Sequence, residues 1–162
     1  MSDVKMVRTA TPADFPFIHA IAARPENTQF IVDDPDEKLL DYLNFPDIDL
    51  VIWEPDGSPQ GFALFCEIGD PSGKTELRRL GLDKTGQGQG QAFLRALIDY
   101  GFDTIGAARI WLDVVLDNPR AQTTYHRAGF THEGTLRQNW ARPSGEVVDM
   151  MVFGMLRSER PK

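Results

Sequence analysis

The sequence predicts a mixed α/β (α+β) fold, in which about four helices flank a mostly antiparallel central sheet of about six or seven strands. Three apolar runs separated by turn signals, between residues 48 and 83, indicate an antiparallel meander. A helical segment and another strand-like run follow up to residue 116, which indicates a right-handed crossover between two parallel strands. With 162 residues, 41% of them hydrophobic, residues 1–162 are expected to form one domain.

The first part of the chain is predicted to contain one short strand and two helices. The segment KMVRTA, residues 5–10, predicts the strand. Residues 11–23 predict a helix with Thr11 as N-cap and Pro12 at the first helical position. A second helix is expected over residues 36–44, and the acidic segment between the two helices is expected to be a loop.

The meander is built from three apolar runs. Residues 48–54 and 61–68 surround a Pro-Asp-Gly turn at 55–57, which is typical of a hairpin. Residues 75–83 form the third run. Cys66 lies in the second run, where a small buried thiol is expected, and because it is the single cysteine no disulfide framework is available.

A glycine-rich segment precedes the longest amphipathic helix of the chain. Helical spacing places five residues on one apolar face: Phe93, Leu94, Leu97, Ile98 and Gly101. Residues 108–116 follow as a β-rich run that is long enough for a buried strand.

The last part of the chain predicts one more helix and a final pair of strands. The helix has Asn118 as N-cap and Pro119 at its first position, and Gly129 ends it in a left-handed conformation. The strands are expected near residues 130–139 and 146–156, on either side of a turn.

Charge and hydropathy exclude some classes of function. The formal net charge of −7 disfavours binding to a phosphate backbone, and no nucleic-acid partner is expected. No apolar run approaches the ~20 residues of a membrane span, so no membrane partner and a cytoplasmic location are expected. The three histidines lack metal-ligand spacing, which predicts no metal site.

Three glycines, Gly86, Gly88 and Gly90, stand directly before the amphipathic helix. A strand, a glycine loop and a helix N-terminus together can cradle a phosphate, because unpaired backbone N–H groups and the helix dipole favour an anion. The G-x-G-x-G spacing differs from a dinucleotide fingerprint, and Ile68 stands where a P-loop needs its first glycine. The alternative is a tight turn with close packing between helix and strand.

Two motifs together carry a family resemblance. The segment LRRLGLDKTGQGQGQAFL, followed about 30 residues later by NPRAQTTYHRAGF, resembles the GNAT superfamily of N-acetyltransferases. The family's loop pattern Q/R-x-x-G-x-G/A is matched by Gly88 and Gly90, whereas Thr85 replaces the usual Gln or Arg. The second motif is matched in full by Asn118, Ala121, Tyr125, Gly129 and Phe130. The ending of the chain is similar to the branch that includes RimJ/RimL-type N-terminal acetyltransferases and spermidine acetyltransferases.

The resemblance implies acetyl-CoA as co-substrate and a site between two splayed parallel strands, residues 75–83 and 109–115. The backbone at Leu80 and Leu82 would pair with the pantetheine arm, and Asn118 would bind its amide. The pyrophosphate would rest on the backbone of the loop residues Gly86, Gln87, Gly88, Gln89, Gly90 and Gln91. A bulge at Gly81 is expected to aim the strand's backbone groups.

The resemblance also implies the chemistry. Tyr125 would be the proton donor to the departing thiolate, with a core tyrosine as the alternative. Glu76 would be the general base, directly or through a water, although an exposed glutamate at a strand end is an equal alternative. Asp113 and Glu67 are weaker candidates for the base.

The expected activity is acetyl transfer to a primary amine by direct attack in a ternary complex. The acceptor would be a small polyamine or amino compound, or a protein N-terminus, and a homodimer stays open. Its cleft could be lined by Trp140 and by seven carboxylates: Glu26, Asp33, Asp34, Asp36, Glu37, Glu133 and Asp149. Solvated acidic side chains are the commoner explanation. The alternative functions are an inactive CoA-binding sensor and a nucleotide-binding domain of another fold.

Overall fold

The computed structural model describes residues 6–162. Its strands are β1 (Val7–Thr9), β2 (Asp49–Trp53), β3 (Gly61–Cys66), β4 (Lys74–Leu82), β5 (Arg109–Val115), β6 (Thr131–Ala141) and β7 (Val147–Leu156). Its α-helices are α1 (Phe15–Ala22), α2 (Asp36–Asn44), α3 (Gln89–Asp99) and α4 (Pro119–Arg127). The expected first strand is confirmed over its middle, while Lys5 lies outside the described residues.

The seven strands form one sheet with the order β1-β2-β3-β4-β5-β7-β6. Strands β2, β3 and β4 pair antiparallel as the expected meander. Strands β4 and β5 are parallel, and every other neighbouring pair within residues 6–162 is antiparallel. The expected fold class, with its crossover through α3, is therefore confirmed.

The sheet carries a hydrophobic core on each face. On one face, Phe93 and Leu97 of α3 pack with Ile110 of β5. On the other face, Ile21 of α1 and Leu39 of α2 pack with the alternate side chains of β2 and β3. Each strand contributes side chains to both cores, because successive side chains of a strand point to opposite faces of the sheet.

Two of the expected helices are less regular than their spacing indicates. The helix expected over residues 11–23 begins as a 3-10 turn, Pro12–Asp14, before α1. The reason is Asp14, whose carboxylate accepts from the Thr11 backbone N–H at 2.8 Å and from Arg8 at 2.8 and 2.9 Å. Helix α3 continues as a π-helical segment, Tyr100–Ile105.

Strands β4 and β5 are paired only at their first residues. The paired residues are Lys74 with Arg109, Thr75 with Ile110, and Glu76 with Trp111. Beyond these pairs β4 remains paired with β3 up to Leu82, while β5 remains paired with β7 up to Val115. The two central strands therefore splay apart, as expected.

The bulge in β4 lies two residues before the expected position. Leu64 of β3 pairs with Arg78 and Phe62 pairs with Gly81, so Arg79 and Leu80 together face one residue, and Arg79 has a φ of 54°. A Cβ on Gly81 would lie 2.8 Å from Cζ of the buried Phe62. Gly81 is thus needed for close packing against Phe62, and it directly follows the bulge at Arg79 and Leu80 without being part of it.

We expect Gly81→Ala to lower the free energy of unfolding by about 1–3 kcal/mol, because the Phe62 ring is enclosed and cannot move away. The control is Gly90→Ala, where a Cβ would lie 3.9 Å from its nearest neighbour and the helix would gain up to ~1 kcal/mol. Urea unfolding of both variants measures the difference. Equal stabilities for the two variants would contradict this packing.

Candidate active site

The opening between β4 and β5 holds two adjoining cavities. The strand cavity, of about 570 Å³, lies between the diverging strands and is lined by Glu76 and Asp113. The loop cavity, of about 700 Å³, lies between the glycine loop and α4. Six residues line both cavities: Asn27, Phe30, Leu80, Asn118, Ala121 and Tyr125. A ligand that enters from the glycine loop can therefore reach the strand cavity past these residues.

The glycine loop has the backbone that an anion cradle requires. Gly86 and Gly88 have φ values of 77° and 75°, in the left-handed region that favours glycine, and Gly88 is the residue before α3. Gly90 and Gln91 join them on the wall of the loop cavity. The structure thus brings four of the six expected loop residues to the cavity; Gln87 and Gln89 are not part of its lining.

Two guanidinium groups of α4 line the loop cavity and were not anticipated. Arg120 lies in the first turn of α4 and Arg127 at its end, and both border the cavity together with Thr85. A Cβ on Gly86 would lie 3.9 Å from Nη2 of Arg120. Arg120 and Arg127 are seven residues apart and so share one side of α4, whereas the motif residue Tyr125 does not; only the packing of α4 shows that Arg120 faces the loop.

Asn118 holds the start of α4 at the junction of the two cavities. Its Oδ1 accepts a hydrogen bond from the Ala121 backbone N–H at 3.3 Å, which confirms it as an N-cap. Gln91 Nε2 donates to the Thr124 carbonyl at 3.0 Å and so ties the start of α3 to α4. Leu80 lines both cavities and Leu82 lines the loop cavity, on the strand expected to offer its backbone.

Tyr125 stands where the two cavities meet. Its ring packs edge-on against Phe130 and Phe153, with centroids 6.3 and 5.9 Å away. None of the residues in 6–162 forms a hydrogen bond with its hydroxyl in the structure. Burial raises the pKa of Tyr125, and the negative charge of Asp113 raises it further. The phenol is therefore neutral and keeps its proton available for a ligand.

The strand cavity contains charges of both signs. Glu67, Glu76, Arg78, Arg79 and Asp113 all line it. Glu76 is buried, and its Oε2 lies 2.6 Å from Nη2 of Arg78 in an ion pair. Glu67 pairs with Lys74, the first residue of β4.

Asp113 of β5 is the least compensated of these carboxylates. No ion pair or side-chain hydrogen bond joins it to another residue of the described part of the chain. Burial raises the pKa of Asp113, the charge of Glu76 raises it further, and Arg78 opposes both effects. A carboxyl group with these neighbours can gain or lose a proton closer to neutral pH than an exposed aspartate.

Aromatic side chains form the remaining wall of the strand cavity. Trp140, which was expected to line an acceptor cleft, does so together with Trp111 and Phe30. Trp111 was not anticipated, because its position on the cavity side of β5 follows from the direction in which β5 leaves β4. Aromatic faces of this kind can bind a cationic group.

Most of the carboxylates expected in an acceptor cleft lie elsewhere or are paired internally. His19 Nδ1 lies 2.7 Å from Asp33 and its Nε2 lies 2.5 Å from Asp36, which ties α1 to the start of α2. Asp34 is buried and accepts from the Tyr42 hydroxyl at 2.9 Å. These three carboxylates hold the segment between α1 and α2 in place.

The carboxylates of the final hairpin are also absent from the two cavities. Glu133 pairs with Arg109, at the end of β5 where the strands are still joined. Asp149 accepts from the Gln138 backbone N–H at 2.7 Å, where β6 is irregular. Neither residue lines the two cavities, whereas Glu26 does border the loop cavity.

Arg142 connects three segments around the strand cavity and was missed in the sequence. It is buried in the turn between β6 and β7, and it donates to the Gln29 carbonyl at 3.2 Å. It also pairs with Asp117, which follows β5, and its Nε lies 3.4 Å from Glu146. Gln29 and Asp117 are distant from Arg142 in sequence, so no local pattern reveals these two contacts.

Within residues 6–162 no group of three or more His, Cys, Asp or Glu side chains is arranged to hold a metal ion. None of the helices in the same range has the length and apolar character that crossing a membrane requires.

Burial raises the pKa of the Cys66 thiol to about 11.

Sequence comparisons place this chain beside known acetyltransferases. The model of the acetyltransferase (GNAT) family matches residues 15–130. An uncharacterized N-acetyltransferase, p20, of Bacillus licheniformis is 29% identical over 100 residues, which cover 61% of this chain and 56% of p20. Spermidine N(1)-acetyltransferase of Vibrio cholerae is 40% identical over 75 residues, or 44% of this chain and 43% of that protein. The chain spans about half the length of these curated relatives.

Solved structures share the fold over nearly the whole chain. Spermidine N-acetyltransferase from Vibrio cholerae, in a crystal structure with CoA and spermine, has a TM-score of 0.82 at 20% identity, covering 94% of this chain and 95% of its own. A chimera of the same enzyme has a TM-score of 0.80 at 21% identity, covering 94% and 96%. At these identities the likeness concerns the fold alone.

We expect the contribution of His19 to stability to depend on pH. Hydrogen bonds to Asp33 and Asp36 raise the pKa of His19 in the folded state. The stabilisation is therefore complete below the ordinary pKa of 6.5 and is lost as the pH rises through the folded value. His19→Gln should cost up to about 1 kcal/mol near pH 6 and less near pH 9, because the partners are partly exposed.

Urea unfolding at the two pH values measures this difference. The control is His126→Gln on α4, an exposed histidine outside the His19 cluster. A cost for His19→Gln that is the same at both pH values would contradict the role of the charged imidazole.

Proposed function

Since the chain belongs to the acetyltransferase (GNAT) family, we propose that it transfers an acetyl group from acetyl-CoA to a primary amine by direct attack in a ternary complex. The observation that carries this proposal is the junction of the two cavities at Tyr125. One cavity begins at an anion cradle and the other is lined by carboxylates and aromatic rings. A donor and an acceptor can thus approach each other from opposite sides of one neutral phenol.

The loop cavity fits the diphosphate end of acetyl-CoA. Backbone N–H groups at the start of α3 and the cations Arg120 and Arg127 favour an anion, and Gly86 and Gly88 let it approach the main chain. The contact to phosphate that the family usually takes from Gln or Arg at position 85 is assigned to Arg120 in this proposal. Leu80, Leu82 and Asn118 would hold the pantetheine arm on the way to the strand cavity.

Acetyl-CoA supplies an activated acetyl carbon and a thiolate leaving group. The bond from the amine nitrogen to the acetyl carbon forms, the carbon–sulfur bond breaks, and the sulfur takes a proton from the Tyr125 hydroxyl. Tyr125 suits this role because burial keeps it protonated and because its hydroxyl forms no hydrogen bond with any of the described residues. The amine must first lose a proton, for which Glu76 and Asp113 are the carboxylates within the strand cavity.

The acceptor is proposed to be a cationic primary amine. The relatives from Vibrio cholerae are named for spermidine, which makes a small polyamine the first candidate, and a peptide N-terminus the second. Trp140 and Trp111 can bind the cation through their faces, and Asp113 and Glu76 supply negative charge. We propose that residues 1–162 act as one domain in the cytoplasm, with no metal, nucleic-acid or membrane partner; the oligomeric state, monomer or homodimer, is left open.

Release of free thiol from acetyl-CoA tests the activity. The assay would use spermidine, a simple alkyl monoamine and a tripeptide with a free N-terminus as acceptors. Acetyl-CoA should raise the melting temperature, through preferential binding to the native state, whereas NAD and ATP should not. Stabilisation by acetyl-CoA without thiol release for any amine would overturn the proposed enzymatic activity and favour a CoA-binding sensor.

Tyr125→Phe should lower kcat by ~100-fold, the typical contribution of one general acid, while CoA affinity stays close to that of the parent. The physical reason is that phenylalanine keeps the ring packing against Phe130 and Phe153 but has no proton to give. Steady-state kinetics and calorimetric CoA binding measure the two effects. An unchanged kcat would make Tyr125 a core residue only.

Gly88→Trp should weaken CoA binding by at least about tenfold, equivalent to ~1.4 kcal/mol, because Gly88 lines the loop cavity in a left-handed conformation. The matched control is Gln87→Trp, which adds the same side chain one residue earlier, outside the cavity lining. Calorimetry with CoA compares the two. Equal affinity of both variants would place the diphosphate elsewhere.

A further inference from the structure

We propose that Asp113, and not Glu76, is the carboxylate that takes the proton from the acceptor amine, and that Glu76 and Arg78 form a positioning pair behind it. This inference rests on the proposed acetyl transfer and identifies the residue that accepts the proton of the amine in that reaction. It departs from the expectation from the family resemblance, which favoured Glu76 on β4.

The positions of the two carboxylates along the gap differ. Glu76 pairs with Trp111 in the last of the parallel pairs, so it lies where β4 and β5 are still joined. Asp113 lies two residues further along β5 on the same side of the sheet as Trp111, past the point where the strands part. It is therefore the carboxylate deeper in the opening, in the direction of Tyr125.

The bonding of the two carboxylates also differs. Glu76 is 4% exposed, and its Oε2 forms an ion pair with Nη2 of Arg78 at 2.6 Å, although the two groups are not aligned for a hydrogen bond. Asp113 lines the strand cavity with no ion-pair partner among the residues in 6–162. The Glu76 carboxylate is therefore engaged by a cation, whereas the Asp113 carboxylate has no such partner and is open to an ammonium group in the cavity.

The charges that face Asp113 support this division. Glu76, Arg78 and Arg79 act on it from β4: the first raises the pKa of Asp113 beyond the effect of burial, and the two arginines lower it. From α4, Tyr125 lines the same cavity as Asp113, and the charge of Asp113 raises the pKa of Tyr125. A base whose pKa lies closer to the working pH is the more effective proton acceptor.

The proton balance of the step is simple. The ammonium group of the acceptor binds beside the Asp113 carboxylate and transfers one proton to it, which leaves a neutral amine with a free electron pair. The proton on Asp113 returns to solvent after the product leaves. The nitrogen loses a second proton as the amide forms, and this proton replaces the one that Tyr125 gave to the sulfur. Asp113 and Tyr125 therefore both end in their starting protonation states.

The test compares Asp113→Asn with Glu76→Gln, using the fastest amine of the panel above. Asp113→Asn should lower kcat by ~100-fold with unchanged CoA affinity and melting temperature, and Asp113→Glu should recover part of the loss. Glu76→Gln should cause a smaller loss. It should also move the acid limb of the kcat/KM profile to lower pH, because removal of the Glu76 charge frees Arg78 and lowers the pKa of Asp113.

The reverse pattern would overturn the assignment: an acid limb that persists in Asp113→Asn and disappears in Glu76→Gln would identify Glu76 as the base. Carbon-13 NMR titration of the Asp113 carboxyl, assigned by its absence in Asp113→Asn, gives a readout that needs no turnover. We expect its pKa above the ordinary 3.8 in the parent and lower in Glu76→Gln. An ordinary value in the parent would overturn the inference, whereas absence of thiol release would overturn only the proposed activity.

Discussion

The site depends on one constraint: the hydrogen bonding between β4 and β5 is limited to the first residues of the two strands. Three residue pairs join these parallel strands, after which each strand follows its other neighbour. Strand β4 stays with β3 through a bulge at Arg79 and Leu80, and β5 stays with β7 to its last residue. Because the outer pairings are antiparallel and continuous, they hold the two strands apart without a loss of order. The opening is thus a stable feature of the sheet, and both cavities lie in it.

The opening also separates two electrostatic environments within a short distance. On the side of the glycine loop, Arg120 of α4 lies beside the left-handed Gly86, and Arg127 also lines the loop cavity. On the side of the diverging strands, carboxylates and tryptophans form the wall. Tyr125 lies between them and is kept neutral by burial and by the nearby Asp113. An anionic donor and a cationic acceptor would each be attracted to a different end of the same passage, which favours a defined orientation of both.

Acidic side chains outside the opening have structural partners that a count of charges cannot reveal. Asp33 and Asp36 bind one imidazole, Asp34 binds Tyr42, and Glu133 binds Arg109. The segment between α1 and α2 is held by these contacts and by Arg142, and it places Asn27 and Phe30 at the junction of the cavities. These acidic residues therefore shape the cavities through the segments that they hold and do not line them.

The sequence by itself determined the order of elements, the meander, the crossover and the two motifs, because periodicity, caps and turn residues act between neighbours along the chain. Its motifs name Gly88, Gly90, Asn118 and Tyr125, and these four residues line the cavities. Only the tertiary structure decided that Asp113 is unpaired while Glu76 is bound, that Gly81 accommodates Phe62 rather than forming the bulge, and that Arg120, Arg127 and Arg142 surround the site. Those properties arise from groups far apart in sequence, and burial and pairing exist only after the strands and helices have packed.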